Sequence, residues 1–533
     1  MDRRSFLAGL IAAAAGGVAA CSSNGDDTAS RRDTTTTDPP LVPEELPPSG
    51  LPASPFTLGV ASGDPLPQSV ILWTRLALDP AAADGQGGMP GDVVVRWEVS
   101  DDDAFDMLVA MGDATASAAL GHSVHVDVGG LEPDRRYHYR FRSGSEHTSA
   151  IGRTRTAPAE DAEVGELRLA VASCQEFQAG HYVAHRSIAA DDLDLVVFLG
   201  DYIYESGGRD DALRPIPGGK CITLADYRNR YAHYKADADL QAAHASCPWV
   251  VTWDDHELEN NYAALASQLG VGRDEFAIQR AAAYQAFYEH LPLRLDPPTG
   301  PDWPIHRTLG WGRLAQLFVL DGRQYRDDQP CGSPSDTFVD STACDIDAED
   351  RTMLGAEQER WLTDGLRAAD QTWKVLAQQT VMSSLVIGDL VLNVDQWDGY
   401  PRARRRLLDQ IAADGISDVV VLTGDIHAAG AGVLSTDGSS GPATPVAIEL
   451  VTTSISSRGL SETAGIDPTT LDPAIFGIDY AELIHRGYAR CTVTPDRWST
   501  EFVIVADVTD PASSTSVAAT VSADAGAASL TVA

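Results

Sequence analysis

The chain has 533 residues, enough for two domains or more, and its 44% apolar and 22% charged content is that of a soluble globular protein. Its 77 acidic residues against 39 basic ones give a formal charge of −38, which excludes nucleic-acid binding through a basic surface. Such acidity suits solubility or an external medium, and it leaves room for a locally positive, metal-filled pocket.

In chain order, Arg3-Arg4-Ser5-Phe6-Leu7 opens a twin-arginine export signal whose apolar stretch runs from Phe6 to Ala20. The stretch falls short of the roughly 20 residues that a membrane span needs. It ends Val18-Ala19-Ala20-Cys21, which resembles a lipoprotein processing box. Residues 1–21 are therefore expected to be a twin-arginine lipoprotein-type signal. Cys21 would carry the lipid and tether the protein in the cell envelope, outside the cytoplasmic membrane, after passage through the twin-arginine export machinery. An ordinary signal cut near Ala20 is the alternative. Residues 22–53 are rich in Ser, Thr, Asp and Pro and read as a disordered linker.

Residues 54–157 read as all-β. Ser69–Arg75, Val93–Val99, Ser123–Val128 and Tyr137–Phe141 are short β-branched and aromatic runs punctuated by Gly, Pro and Asp. Gly130-Leu131-Glu132-Pro133-Asp134, followed by Tyr137, resembles the corner of a fibronectin-type sandwich. A small sandwich without chemistry of its own is expected. Over residues 165–506, strand-like runs alternate with helical stretches at Asp274–His290, Ala356–Ala369 and Arg402–Asp414, which implies a layered α/β domain. Runs at Ala447–Thr452, Tyr488–Val493 and Ser499–Ala506 would complete a sheet. Residues 507–533 form a low-complexity tail, either loose or adding one edge strand.

The chemistry sits where apolar runs stop. Leu193–Leu199 ends in Gly200-Asp201-Tyr202-Ile203-Tyr204-Glu205, Trp249–Trp253 in Asp254-Asp255-His256-Glu257, and Val419–Leu422 in Thr423-Gly424-Asp425-Ile426-His427. Leu167–Val171 leads to Ala172-Ser173-Cys174. In open α/β sheets, ligands bind just past the carboxyl ends of the strands. Carboxylates gathered there repel one another, and cations are the usual remedy. Asp, Tyr and His suit a hard trivalent metal beside an oxygen-loving one, and a Cys thiolate favours iron or zinc. The Asp201 carboxylate can bridge two metals, and Tyr204 can ligate trivalent iron as a phenolate. Asp255 can hold the second metal, with His256 facing substrate to stabilise or protonate a leaving oxygen. Asp425 and His427, two apart in extended backbone, would point to one side. A two-metal clamp of this kind serves phosphoryl transfer. No P-loop lysine motif or Gly-x-Ser-x-Gly elbow is present.

These motifs, with the entry Phe56-Thr57-Leu58-Gly59-Val60-Ala61-Ser62-Gly63-Asp64-Pro65 and Asn260-Asn261, resemble the PhoD-type alkaline phosphatase/phosphodiesterase family of the calcineurin-like metallophosphoesterases. The resemblance runs from about Phe56 to about Ala506. It implies Fe3+ held by Cys174, Asp201, Tyr204 and His427, and Ca2+ held by Asp201, Asp255 and Asp425. Asn261 and His256 would contact the phosphate, with Asp201 and His256 at the centre of catalysis. The implied activity is hydrolysis of phosphomonoesters, extending to phosphodiesters. Two alternatives are a phospholipase D or teichoic-acid-type phosphodiesterase on the same site, and a non-catalytic surface-binding lipoprotein.

Of the seven cysteines, Cys331 and Cys344 flank an acidic loop and are expected to pair, Cys221 and Cys247 form a second candidate pair, and Cys491 reads as a buried free thiol. His181 and His185 have the spacing of a metal pair but lack an evident third ligand, so a structural or rim role is expected. Arg402, Arg404, Arg405 and Arg406 read as a solvated helix face, and Trp397 as a candidate pocket wall.

Overall fold

A computed structural model describes residues 45–332, 339–438, 442–463, 465 and 467–533. The signal, Cys21 and most of the expected linker lie outside the described residues. The end of that linker is packed rather than free, since Ser49 N donates to Glu146 Oε1 at 2.9 Å. No helix among the described residues is long and apolar enough to cross a membrane.

Two sheets are packed face to face. The inner part of one is parallel: Leu167–Ala172, Leu195–Phe198 and Trp249–Val251 lie side by side. The inner part of the other is also parallel, through Ala315–Val319, Trp373–Ala377, Val419–Thr423 and Pro445–Val451. Antiparallel strands extend the first sheet to ten strands and the second to seven. Strand alternation fixes the layering. Leu167, Leu169 and Val171 enter one core with Leu195, Val197, Val420, Leu422, Ile448 and Leu450 from both sheets. Ala170, Ala172, Val196 and Phe198 face the opposite way, into a core shared with helices Val183–Ala190, Leu224–Lys235, Ala238–Ser246 and Arg273–His290. Helices Gly355–Ala368 and Pro401–Ala413 cover the outer face of the second sheet. The order is helix, sheet, sheet, helix, and the parallel strands of both sheets are buried on both faces.

Helices Leu224–Lys235 and Ala238–Ser246 escaped the periodicity reading. The first buries Tyr227, Tyr231 and Tyr234 alongside Arg228, Arg230 and Lys235, so no clean apolar stripe marks it. Its start is nevertheless written in sequence, as a capping box between Thr223 and Asp226.

The all-β strands form where expected but divide between sheets. Val93–Ser100 and Arg136–Ser143 belong to a separate five-stranded sheet, whereas Ser69–Arg75 and Ser123–Gly129 extend the ten-stranded one together with Val60–Leu66, a strand outside the expected set. Side chains from both sets, including Val70, Leu72, Val95, Val99, Tyr139 and Phe141, share one core. At the other end, Thr515–Asp524 and Thr531–Val532 form the sheet's outer strands, so the tail contributes two strands rather than one.

Cys331 and Cys344 are disulfide-bonded. Cys221 and Cys247 are free and buried, which corrects the second candidate pair. Each thiol has its own neighbour, the Asp226 carbonyl at 3.7 Å and Ser246 Oγ at 3.8 Å. Cys491 is also free and buried. Trp397, expected as a pocket wall, is a core residue: it is buried, and its Nε1 donates to Gln378 Oε1 at 3.0 Å. His185 is buried against Gln175 Oε1 at 2.6 Å and makes no metal pair with His181. The four arginines of the basic run pair with Asp347, Asp398, Asp437 and Glu359, so the run is neutralised.

Leu422 is fully buried between the sheets, three residues before Asp425. Leu422→Ala is expected to lower unfolding free energy by about 2–5 kcal/mol, read as a lower urea midpoint with an unchanged slope.

Candidate metal centre

Each of the four strand ends delivers its expected residues to one place. Leu167–Ala172 is followed by Cys174, Leu195–Phe198 by Asp201 and Tyr204, Trp249–Val251 by Asp254, Asp255 and His256, and Val419–Thr423 by Asp425 and His427. The turns are unusual. Cys174, Asp201, Asn261, Asp425 and His427 have φ values of 58°, 56°, 57°, 65° and 55°. Side chains crowd the backbone there, and such residues cluster at functional sites because the surroundings over-determine them. Asp425 and His427 are therefore not in extended backbone, which corrects that part of the reading, although both still reach the centre.

The over-determination is visible. Cys174 N donates to Gly200 O at 3.1 Å and Gln175 N to Asp201 O at 3.0 Å. The buried Glu257 carboxylate accepts from Asp201 N at 3.1 Å, Tyr202 N at 2.6 Å and Asp254 N at 2.8 Å, binding two strand ends together. Gly200 makes this approach feasible, because a Cβ there would lie 2.3 Å from Asp254 N.

Donor atoms of Cys174, Asp201 and His427 lie within 4.8 Å of one another, as do those of Asp201, Asp255 and His256, and those of Asp254, Asp255 and Asp425. Asp201 and Asp255 each belong to two groups. The Tyr204 hydroxyl donates to Asp201 Oδ2 at 2.9 Å and lies 3.1 Å from His427 Nε2. His427 Nδ1 lies 2.5 Å from the Arg458 carbonyl. A proton on Nδ1 leaves Nε2 as the lone-pair atom, the usual outer support of a metal-binding His. Burial holds His427 down to about 4, so the ring is neutral, as a ligand must be.

The charges demand a counterion. Burial, then neighbouring acids, pushes the Cys174 thiol and Tyr204 hydroxyl up. Burial also raises Asp201 and Asp254 well above the carboxylate range, and Asp425 to about 7. Asp255 stays low: burial opposes its charge, but Arg323 and then His256 outweigh burial. Asp254 Oδ2 and Asp255 Oδ1 are buried with no hydrogen-bond partner among the described residues. A soft thiolate, a phenol, an imidazole and orphaned carboxylate oxygens form a donor set that fits a cation pair.

Three features escaped the sequence reading. The first is Arg323, fully buried, whose guanidinium bonds Asp254 and, at 2.7 Å, Asp395, and lies 3.7 Å from Asp255 and 3.4 Å from Asp425. Its signal was available, because Leu317–Leu320 followed by Asp321-Gly322-Arg323 repeats the pattern of an apolar strand ending in polar residues. The second is Gln396, which donates to Asp425. The third is Glu205, inside a quoted motif but without an assigned role. Its Oε2 is 2.7 Å from His256 Nδ1, and its Oε1 accepts from Asn260 N at 3.2 Å. Of the neighbouring asparagines, Asn261 is the one beside the cluster, donating its N–H to Asp255 Oδ2 at 2.6 Å.

The sequence pattern of the PhoD-like phosphatase family matches residues 169–502, and that of the family's N-terminal domain matches residues 45–158. This chain belongs to the PhoD-like phosphatase family. It is 45% identical over 479 residues to alkaline phosphatase D of Bacillus subtilis (strain 168), covering 87% of this chain and 80% of that protein. A solved structure described as that of PhoD matches with a TM-score of 0.84 at 42% identity, covering 91% of this chain and 93% of that one. The resemblance read from the motifs holds: the protein is an α/β phosphoric ester hydrolase with metal-dependent chemistry and an all-β N-terminal domain.

Arg323→Met is expected to cost about 3–5 kcal/mol of stability by leaving several buried carboxylates without their cation. Urea unfolding of the variant checks this, and an unchanged midpoint would show that Arg323 is dispensable to the cluster.

Proposed function

We propose that this chain is an exported, lipid-tethered alkaline phosphatase acting on phosphomonoesters and, at the same site, phosphodiesters. In this reading Cys174, Asp201, Tyr204 and His427 hold Fe3+, and Asp201, Asp255 and Asp425 hold Ca2+. The observation that carries it is the meeting of a thiol, a phenol and an imidazole around Asp201, beside carboxylate oxygens that nothing among the described residues satisfies. Export and tethering rest on Arg3-Arg4 and Cys21 in the sequence. The fibronectin-like reading of the first domain is supported by the Tyr137 hydroxyl, which accepts from Glu132 N at 3.0 Å, as in a tyrosine corner. Membership of a phosphatase family sets aside the non-catalytic lipoprotein.

When bound, the two ions supply Lewis acidity toward the phosphate and the attacking oxygen. The protein supplies a proton donor. Burial disfavours charge on His256, but Glu205, Asp201 and Asp255 outweigh burial and hold its pKa well above the ordinary value. The ring lies tilted against Tyr204, with centroids 4.1 Å apart, and is anchored through Nδ1, which leaves Nε2 to serve the leaving-group oxygen. Asn261, buried beside Asp255, is placed to orient phosphate oxygens.

Cys174→Ala and Asp201→Ala are each expected to lose iron and phosphatase activity together. Metal content and release of phosphate from an aryl phosphate, measured on one chelator-free preparation, check this. Full activity in a folded, iron-depleted variant would remove the assignment, and a bis-aryl phosphate alongside ranks diester use.

Glu205→Gln tests the proton donor. The Glu205 side chain raises the pKa of His256, and a neutral amide in its place withdraws that support. The alkaline limb of kcat is therefore expected to move to lower pH, by about 1 unit or more. An unmoved limb at unchanged metal content would exclude His256 as the donor.

A further inference from the structure

Ser457 lies in the segment that follows strand Pro445–Val451 and is fully buried. Its Oγ is 2.7 Å from the Tyr204 phenolic oxygen and 2.7 Å from the Cys174 carbonyl oxygen, and it accepts from Glu176 N at 3.0 Å. One hydroxyl therefore touches the two residues that bring a phenol and a thiol to the centre. It has a single proton to donate and can serve only one of these two acceptors at a time. The Cys174 carbonyl does not depend on that proton, since Ser456 N and Ser457 N also donate to it, at 3.4 and 3.3 Å. Among the described residues, no backbone N–H donates to the Tyr204 oxygen. Its other polar neighbours here are Asp201 Oδ2, to which it donates, and His427 Nε2, whose ring carries its proton toward Arg458 O.

We propose that Ser457 is a positioning residue of the metal centre, whose hydroxyl donates to the Tyr204 oxygen when that oxygen acts as a ligand. The inference rests on the reading that Tyr204 and Cys174 hold iron. A hydrogen bond donated to an anionic oxygen is charge-assisted and roughly twice as strong as a neutral one. It draws electron density from the phenolate and fixes its direction, so Ser457 sets how strongly Tyr204 gives charge to the ion. Outer partners of this type govern metal affinity as well as orientation.

The test is the visible charge-transfer band and iron retention of chelator-free protein. Wild type, Ser457→Ala, Ser457→Thr, Tyr204→Phe and the Tyr204→Phe/Ser457→Ala double variant are compared after circular dichroism confirms the fold. Ser457→Gly, which removes the same hydroxyl and leaves room for water, serves if the alanine variant does not fold. Removing the hydroxyl is expected to shift the band to longer wavelength and to speed iron loss to a chelator about tenfold. Ser457→Thr is expected to restore the band. In the Tyr204→Phe background, Ser457→Ala is expected to add nothing to iron loss, because the partner is gone. A wild-type band that Ser457→Ala leaves in place would overturn this inference alone. So would an iron-loss effect that persists undiminished without the Tyr204 hydroxyl, since Ser457 would then act only as a clip on the Cys174 backbone. A folded wild type with neither iron nor band overturns the underlying metal reading, and this inference with it.

Discussion

The repulsion among buried carboxylates is the constraint around which this molecule is organised. Asp201, Asp254, Asp255 and Asp395 are buried, and Asp425 is only slightly exposed, at one meeting of two sheet edges. Two unit charges 4 Å apart interact with about 4 kcal/mol at an effective dielectric of 20, and several such pairs crowd here. Arg323 offsets part of this. Its rigid, planar fork addresses Asp254 and Asp395 at once, with Asp255 and Asp425 close by, a task that a lysine ammonium on its flexible stem performs poorly. Arg326 adds a second charge on Asp395. The arginines thus settle the side of the cluster nearest Asp395. The orphaned oxygens of Asp254 and Asp255, with the raised Asp201, mark the part that protein charge leaves unsettled.

Holding the acids together costs backbone as well as charge. Five site residues adopt left-handed conformations, each disfavoured by of order 1–3 kcal/mol. The sheets offset this by fixing the strands that lead into the Cys174, Asp201 and Asp425 turns. The strand before each turn is buried on both faces, and Glu257 pins Asp201, Tyr202 and Asp254 through three backbone N–H groups. Burial pushes Glu257 up to about 7, so its ability to accept all three bonds depends on those same N–H groups holding it charged.

The signals that were legible in the sequence were local. An apolar run ending in Asp, Cys or His marks a strand and its functional end together, and each of the four expected strand ends reaches the centre. What stayed hidden was relational. Arg323 follows an apolar run of the same form, but an arginine on a loop gives no local sign that it turns inward. Glu205 and His256 are 51 residues apart, and only the fold brings them into contact. Ser457 closes a Ser/Thr-rich stretch beyond strand Pro445–Val451, where nothing in the local pattern distinguishes it from its hydroxyl-bearing neighbours. The final strands were faint for a different reason: on an outer strand only one face is covered, and in Thr515–Asp524 the buried residues are Val521 and Ala523.

Sheet membership was also illegible, and it matters for the site. Val60–Leu66, read in the sequence only as part of the entry motif, shows no period-two alternation, because it is buried along nearly its whole length, and nothing local says which strand it pairs with. It pairs in parallel with Trp249–Val251 through Gly63 and Trp249. Asp64 reinforces the junction, accepting from Arg294 N at 2.9 Å and Arg307 Nη2 at 2.8 Å. Trp249–Val251 is only three residues long, yet it delivers Asp254, Asp255 and His256. Without Val60–Leu66 it would be an exposed edge, and so short an edge strand has little to hold its register. Among the described residues, the N-terminal domain contributes no side chain to the metal cluster. By flanking that strand, it instead fixes where the second set of carboxylates arrives, which is the precondition for their crowding against Asp201 and Asp425.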